Sequence, residues 1–224
     1  MDSKFFIIIP AFNEGAVIGE TLRDILSLDY TVIVVDDAST DETASIVRGF
    51  PVYYLRHKVN LGQGAALQTG ISFALSKGAE VFVTFDADGQ HVAADIPAMT
   101  SSLATKDIIF GSRFMDEAPS RVPFLRKCIL HFARYLNFAL TGILLTDAHN
   151  GLRVFNSHAA LALQLVENRM SHATEILILA KKHKLRYKEM PVHIRYTAYS
   201  KKKGQSVTHS FKVLQDIFLY KIFK

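Results

Sequence analysis

Two aspartates stand one residue apart directly after an apolar run of the chain. The run at 81–85 has the composition of a buried strand, and Asp86 and Asp88 follow it. An extended D-x-D turn aims both carboxylates at one point, where a hard divalent cation keeps positions open for phosphate oxygens. The sequence therefore predicts a magnesium or manganese site formed by Asp86, Asp88 and Gln90 beside a diphosphate. In the alternative interpretation, Asp86 caps a helix and the Asp88-Gly89 pair only closes a turn.

A second pair of acids follows another apolar run, at 31–35. Asp36 and Asp37 come directly after this predicted strand. Carboxylates at the tip of a strand accept hydrogen bonds from N–H groups such as those of uracil or guanine, so both acids are candidates to bind a nucleobase. In the alternative interpretation the acidic segment only caps the next helix, which we expect to begin at Ser39 or Thr40.

The amino terminus contributes a third polar segment at the end of a strand. The continuous apolar run at 5–9 is typical of a strand covered on both faces, and Pro10 is expected to stop it. Asn13 is then placed to cap a helix. The apolar positions of that helix recur at helical spacing and are Val17, Ile18, Leu22, Ile25 and Leu26.

Strands and helices continue to alternate along the chain. Further strands are predicted at 52–55, 107–110 and 185–194, and a helix is predicted at 63–77. This alternation predicts an α/β fold with a mainly parallel sheet flanked by helices. Ligands of such sheets bind at the carboxyl ends of the strands, which is where the acidic segments lie.

Two more segments at the ends of elements are suited to bind phosphate. Gly62 and Gly64 lie where the loop at 60–64 leads into the predicted helix at 63–77, and they allow backbone N–H groups to approach a ligand. Arg113 follows the predicted strand at 107–110, and its planar guanidinium is suited to a donor diphosphate or an acceptor phosphate. A surface salt bridge is the alternative role for Arg113.

Taken together, five ordered segments resemble glycosyltransferase family 2. They are P-A-F-N-E at 10–14, V-D-D-A-S-T-D at 35–41, N-L-G-Q-G at 60–64, D-A-D-G-Q at 86–90 and G-S-R at 111–113. Over residues 4–206 the chain is similar to the dolichyl- or polyprenyl-phosphate sugar synthases of that family. The resemblance implies the GT-A fold and an inverting transfer of a sugar from a UDP- or GDP-sugar to an acceptor.

The resemblance also assigns roles to individual residues. The segment T-D-A-H-N-G-L-R at 146–153 has the form of a motif on the acceptor side of the synthases, so Asp147 is the candidate catalytic carboxylate, with Asp88 and Arg113. A hydroxyl acceptor needs a base, whereas a phosphate monoester is already largely dianionic, so Asp147 is either a base or an orienting or metal-linked residue. His91 and His149 are interpreted as structural. The residues assigned to substrate binding are Pro10, Phe12, Glu14, Asp36, Asp37, Gly64, Asp86, Gln90, Lys201, Lys203 and Ser206.

Charge is distributed unevenly along the chain. Residues 181–224 contain twelve Lys and Arg against two acids, whereas residues 1–180 contain fourteen against nineteen. The synthases have a basic G-x-S loop that closes over the phosphates; here Lys201 stands at its Arg position and Val207 at its Lys position, with the neighbouring lysines as candidate replacements. The alternative is a solvated run of charge without a ligand.

Two segments are candidates for a membrane surface. The last segment, 211–224, has apolar residues at helical spacing and is too short to cross a bilayer, so it is expected to lie on an anionic membrane surface or to dock another subunit, as in a homo-oligomer. The helical segment at 124–145 is interrupted by basic residues and either packs on the sheet or lies at a lipid interface. A nucleic-acid partner is not expected, because no base-reading fold accompanies the basic segment.

Composition is consistent with one catalytic module. Hydrophobic residues make up 49% and charged residues 21% of the chain, which excludes a disordered protein. The single Cys128 excludes a disulfide framework. The apolar run at 5–9 is too short for a signal peptide, so we expect a cytoplasmic enzyme, peripheral at the inner face of the membrane.

These interpretations predict a metal-dependent transferase that moves a sugar to a polyprenyl phosphate. We expect a GT-A domain at 1–206, with a nucleotide-sugar half at 1–113 and an acceptor half at 114–206, followed by an amphipathic helix at 207–224. The enzymatic alternative is transfer to a hydroxyl of a glycan. Alternatives of another class are a nucleotidyltransferase, which is expected to have a Gly-rich basic loop after the first strand, and a silent binding subunit, which is expected to have lost part of the D-x-D pair.

Overall fold

A computed structural model of the chain describes residues 4–115, 134–135, 137–169 and 171–195. These residues form a seven-stranded sheet flanked by helices, which confirms the predicted α/β class. The strands are β1 (Phe5–Ala11), β2 (Thr31–Asp36), β3 (Tyr53–Arg56), β4 (Val81–Thr84), β5 (Ile108–Ser112), β6 (Arg153–Asn156) and β7 (Tyr187–Pro191). The helices are α1 (Ile18–Ile25), α2 (Thr43–Val47), α3 (Gln63–Ser76), α4 (Ile96–Ser101), α5 (Ser157–Ala162) and α6 (His172–Lys182).

The order and direction of the strands place the acidic segments together at the carboxyl ends of the parallel strands, which we call the carboxyl edge of the sheet. The strands are arranged β3-β2-β1-β4-β6-β5-β7, and every neighbouring pair is parallel except the two pairs that contain β6. The mainly parallel sheet is therefore confirmed. Because β6 is antiparallel, its first residue, Arg153, lies at the same edge as the carboxyl ends of β4 and β5.

Helices bury both faces of the sheet. One apolar cluster lies between the sheet and α3, α5 and α6, and a second lies between the sheet and α1, α2 and α4. Ile7, Ile8 and Ile9 of β1 are fully buried and point alternately into the two clusters. Burial of each such side chain contributes roughly 1.5–3 kcal/mol to the stability of the fold. These residues therefore fix β1 within the sheet, and β1 holds the polar segment at its end in place.

Pro10 does not stop the first strand, because β1 continues to Ala11. The backbone of Ile8, and by alternation that of Pro10, is directed towards β4. However, pairing between β1 and β4 ends where Thr84 lies opposite Ile8. Pro10 therefore lies beyond the last paired residue, and its missing N–H removes no bond from the sheet.

The helix starts predicted at Asn13 and at Ser39 or Thr40 are wrong. Helix α1 begins at Ile18 and α2 at Thr43. Asn13 has a positive φ of 54° and accepts a hydrogen bond from Thr40 N, while the Ser39 hydroxyl accepts one from Asn13 N. These side chains join the loops after β1 and β2 instead of capping helices.

Several predictions concern residues outside the described ranges. They include the basic loop with Lys201, Lys203 and Ser206, the segment at 211–224, and half of the helical segment at 124–145, whose described residues 134–135 and 137–141 are helical. None of the helices formed by the described residues is long and apolar enough to cross a membrane.

Candidate active site

The turn after β4 carries the D-x-D pair at the carboxyl edge of the sheet. Asp86 accepts hydrogen bonds from Gln63 Nε2 at 3.0 Å and from His91 Nε2 at 3.1 Å. Burial alone would raise the pKa of Asp86, but the hydrogen bond and charge of His91 and the charge of Arg153 outweigh it and hold the pKa below its usual value. Asp86 is therefore kept as a carboxylate.

The environment of Asp88 shifts its pKa in the opposite direction to that of Asp86. Its carboxylate accepts hydrogen bonds from Gln90 N at 3.0 Å and from Gln90 Nε2 at 2.6 Å. Burial and the nearby negative charge of Asp86 raise the pKa of Asp88. In this arrangement the amide nitrogen of Gln90 faces Asp88, so Gln90 orients this carboxylate, and its role as a metal ligand stays a prediction.

The two carboxylates of this turn suit a divalent cation that takes most of its ligands from molecules other than the protein. Two neighbouring carboxylates repel each other, and a cation between them would offset that repulsion. Among the described residues, no group of three or more His, Cys, Asp or Glu side chains is arranged to hold a metal ion. A cation at Asp86 and Asp88 would therefore complete its shell with phosphate oxygens and water, as magnesium commonly does.

Gly151 packs directly against Asp86. A Cβ atom at position 151 would lie 2.0 Å from Asp86 Oδ2, and the carbonyl of Gly151 accepts a hydrogen bond from Thr84 Oγ1 at 2.6 Å. The glycine of the 146–153 motif is thus explained by close packing against the D-x-D turn. This contact also brings the motif that contains Asp147 to the turn.

Substitution of Gly151 by alanine is expected to displace Asp86 and to lower the rate of sugar transfer by ~10²-fold, because misplacement of a reacting group by about 1 Å has effects of that size. The rate is measured with saturating substrates. Gly19→Ala on α1 is the matched control, because a Cβ there meets Ile46 at an ordinary 3.4 Å. A folded Gly151→Ala protein with the wild-type rate would contradict the role of this contact.

The structure pairs the predicted catalytic residues Asp147 and Arg113. Arg113 donates Nε to Asp147 Oδ2 at 2.6 Å and Nη2 to Oδ1 at 2.7 Å, and its backbone N–H also donates to Oδ2. Burial would raise the pKa of Asp147, but Arg113 and Asn150 lower it more, so the net shift is downwards. Asp147 is thus a carboxylate of low basicity that fixes the position of an arginine.

Glu189 of β7 supports this pair by binding the backbone beside Asp147. The sequence analysis did not identify this residue. Its Oε1 accepts hydrogen bonds from Thr146 N at 2.7 Å, Thr146 Oγ1 at 2.8 Å and Asp147 N at 3.2 Å. The Thr146 hydroxyl also contacts Ser112 Oγ at the end of β5. The sequence signal was that Glu189 is one of only two acids in the basic carboxyl-terminal segment.

Asp36 and Asp37 bind other parts of the chain. Asp36 accepts hydrogen bonds from Ser39 N and from the Tyr54 hydroxyl, and burial together with this hydrogen bond raises the pKa of Tyr54 to about 12. Asp37 accepts hydrogen bonds from Leu61 N, Gly62 N and His57 Nδ1. Both acids therefore position loops at the carboxyl edge, and their contact with a nucleobase stays a prediction.

The N–H group of Gly64 is also used within the chain. At the start of α3, Gly64 N and Ala65 N both donate to Asn168 O. A Cβ at position 64 would lie 1.9 Å from Glu167 O, so glycine is required by the approach of this segment. This N–H group thus already has a partner within the chain, and a ligand-binding role of Gly64 stays a prediction.

The first polar segment contributes both buried and exposed residues. Phe12 is 43% exposed beside the carboxyl end of β1, whereas Glu14 is buried. The backbone N–H of Glu14 donates to Thr43 Oγ1, and its carbonyl accepts hydrogen bonds at the start of α1. The exposed ring of Phe12 is thus available to a ligand, while Glu14 ties the first loop to α2.

Sequence similarity to known proteins assigns the chain to a family. The sequence profile of glycosyl transferase family 2 matches residues 6–161, which is more than half of the chain. The chain belongs to glycosyltransferase family 2. Among relatives of this transferase, the UDP-N-acetylglucosamine–dolichyl-phosphate N-acetylglucosaminyltransferase of Methanococcus voltae is 32% identical over 246 residues, which cover 100% of this chain and 98% of the relative. The dolichol-phosphate mannosyltransferase of Pyrococcus furiosus is 29% identical over 96% of this chain and 63% of the relative.

Solved structures confirm the GT-A fold of this family-2 transferase. Glucosyl-3-phosphoglycerate synthase of Mycobacterium tuberculosis in complex with UDP matches with a TM-score of 0.68 at 18% identity, over 95% of this chain and 78% of that chain. The same enzyme in complex with Mn²⁺, UDP and glucosyl-3-phosphoglycerate matches with a TM-score of 0.66 at 16% identity, over 94% and 77% of the two chains.

Proposed function

We propose that this transferase moves a sugar from a UDP- or GDP-sugar to a polyprenyl phosphate, with inversion at the sugar carbon. The observation that carries this proposal is the bidentate pair between Asp147 and Arg113. A carboxylate of lowered pKa that is bound by an arginine is a weak base, so the pair suits an acceptor that needs no deprotonation. A phosphate monoester is such an acceptor, because it is largely dianionic at neutral pH.

In this proposal the D-x-D turn holds the donor. Asp86, Asp88 and Gln90 would hold a magnesium or manganese ion, and the ion would offset the charge of the departing nucleoside diphosphate. Gln63 and His91 keep Asp86 in place, and the Gln90 amide orients Asp88. The UDP and manganese complexes of the structural relative support this assignment.

The same reasoning assigns the acceptor to the other side of the turn. Gly151 brings the 147–153 segment against Asp86, and the Asp147–Arg113 pair lies four residues earlier. We propose that Arg113 orients the acceptor phosphate for attack on the sugar carbon, while Asp147 fixes the guanidinium. The long similarity to a dolichyl-phosphate transferase favours this acceptor over a glycan hydroxyl.

A polyprenyl acceptor resides in a lipid bilayer, so the proposal includes an anionic membrane surface as a partner. We propose the cytoplasmic face as the place of the reaction. The residues to which sequence analysis assigned this contact, 211–224, lie outside the described ranges. The same holds for Lys201, Lys203 and Ser206, whose phosphate contacts stay predictions.

The proposal is tested by incubating the protein with a panel of UDP- and GDP-sugars, Mn²⁺ and a polyprenyl phosphate, and identifying the product by mass. We expect one nucleotide sugar to yield a polyprenyl-phosphate hexose or acetamidohexose. Parallel reactions replace the lipid phosphate with the corresponding polyprenol or with an oligosaccharide. Transfer to an oligosaccharide but not to the lipid phosphate would overturn the acceptor assignment.

A further inference from the structure

Arg153 is the largest fully buried side chain in the described part of the protein, and none of the roles above includes it. It is the first residue of β6 and lies opposite Thr84 of β4 and Phe110 of β5. Its Nε is buried and has no hydrogen-bond partner among the described residues. A buried guanidinium with an unsatisfied donor destabilises a fold, so its presence needs another explanation.

The stem of Arg153 lies in an apolar environment. A cavity of about 10 Å³ beside it is lined by side chains of the sheet, of α3 and α6, and of the segment that follows α5. Such a cavity is at the lower limit for one water molecule, and its apolar lining gives a water few partners. Water therefore does little to screen the charge of Arg153 on this side, and the field of a poorly screened charge extends further.

Arg153 is charged at neutral pH, whereas the two histidines near it, His149 and His172, are not. Burial and the charge of Arg153 lower the pKa of His172 to about 4, and burial lowers the pKa of His149. Both imidazoles are therefore neutral at neutral pH. Burial lowers the pKa of Arg153 only to about 10, so Arg153 is a cation there.

The charge of Arg153 acts on both halves of the active site. Asp86 of the donor turn and Asp147 of the acceptor motif are the two carboxylates whose charges favour its protonated form. Gly151, two residues before Arg153, packs on Asp86. Arg153 also lies opposite Thr84, two residues before Asp86, so its charge is close to the carboxylates that would face a nucleoside diphosphate and an anionic acceptor.

We propose that Arg153 is a positioning residue that acts by its charge: from the buried start of β6 it supplies positive potential to the D-x-D turn and thereby strengthens binding of the nucleoside diphosphate. The proposal rests on the proposed function, because it requires an anionic donor at Asp86 and Asp88. A negative diphosphate placed beside two carboxylates is repelled by them, and a desolvated cation nearby offsets part of that repulsion. Arg153 needs no direct contact with the ligand for this effect.

The test separates charge from structural support by measuring ligands of opposite sign. Arg153→Met removes the charge and keeps an apolar stem, and Arg153→Lys keeps the charge. We measure Mn²⁺ binding alone, and then binding of UDP or GDP to the Mn²⁺-saturated protein, without an acceptor. For Arg153→Met we expect nucleotide binding to weaken by ~10-fold while Mn²⁺ alone binds at least as tightly as in the wild type. For Arg153→Lys, measured at a pH low enough to keep the buried ammonium protonated, we expect both affinities to stay within about threefold of the wild type, because the positive charge is retained.

Arg186→Met is the matched control, because it removes the same charge from an exposed arginine that pairs with Asp107 at the opposite edge of the sheet. It is expected to leave nucleotide binding unchanged. If Arg153→Met weakens Mn²⁺ binding and nucleotide binding equally, Arg153 only supports the structure of the turn. If nucleotide binding is unchanged, the charge of Arg153 is irrelevant to it. Either result overturns the inference. If Arg153→Met does not fold, loss of nucleotide binding in a folded Arg153→Lys protein would overturn it. Failure of the wild type to bind either nucleotide would instead overturn the proposed function and, with it, this inference.

Discussion

Replacement of Asp88 by alanine is expected to abolish sugar transfer and metal-dependent donor binding. Asp86 is the other carboxylate of the turn, and its two oxygens already accept hydrogen bonds from Gln63 and His91. Without Asp88 the cation would lose one of the only two carboxylates that this turn offers beside the diphosphate. Several kcal/mol of transition-state stabilisation by a metal correspond to a loss of ~10²–10³-fold or more in rate.

The measurement compares single-turnover transfer and Mn²⁺-dependent binding of UDP or GDP in the wild type and in Asp88→Ala. Glu80→Ala is the matched control, because this carboxylate lies just before the same strand and pairs with Lys4 at the opposite end of β4. The control is expected to keep the wild-type rate. A folded Asp88→Ala protein that transfers sugar normally would remove the D-x-D turn from the mechanism.

The position of this turn could be predicted from the sequence because the signals are local. Apolar runs such as 5–9 and 81–85 mark strands by composition alone, and the acids that follow them lie at the carboxyl ends of those strands. The strands at 31–35 and 52–55 were predicted to within one residue at each end. The alternation of strands with helices then predicts the mainly parallel sheet.

The partners of the polar side chains could not be predicted because they are distant in sequence. Asn13 and Thr40 have helix-capping residue types, but they bind each other across 27 positions. Glu189 supports Thr146 across 43 positions because β7 lies beside β5. Residue type shows that a side chain needs a partner, whereas the order of strands decides which partner it meets.

Arg153 illustrates the same limit for charge. In the sequence it ends a motif that resembles the acceptor segment of the synthases. Arginine is a residue type that is usually exposed, so the sequence alone favours a surface position for it. The antiparallel insertion of β6 between β4 and β5 buries it opposite Thr84, at the end of β4 that leads to Asp86. No local periodicity reports that insertion, so the buried cation became visible only in the structure.

Replacement of Asp147 by asparagine is expected to separate the two classes of acceptor. Asparagine keeps the shape and part of the hydrogen bonding to Arg113 but removes the charge and the basicity. With a hydroxyl acceptor, loss of a general base would lower kcat by ~10²–10⁴-fold. With a phosphate acceptor we expect a loss below ~10²-fold, because only the position of Arg113 is affected.

The dependence of the rate on pH gives the second criterion. The pKa of Asp147 is lowered in the folded protein, so Asp147 is ionised throughout the range from pH 5.5 to 8.5, and its contribution to stability is lost only as the pH falls below the usual range of a carboxyl. A rise in rate between pH 5.5 and neutrality is therefore expected to follow the second ionisation of the acceptor phosphate, with a pKa near ~6. Asp147→Asn should keep that rise at a lower plateau.

The measurement is kcat with saturating acceptor for the wild type and Asp147→Asn across this range. Asp107→Asn controls for loss of an arginine-bound carboxylate as such, because Arg186 binds Asp107 through two N–H groups away from the site. A large, pH-independent loss at and above neutrality would show that Asp147 removes a proton from a hydroxyl, which contradicts the phosphate acceptor. A modest loss with the pH-dependent rise intact would mean that the Asp147–Arg113 pair contributes position, while the acceptor supplies its own nucleophilic charge.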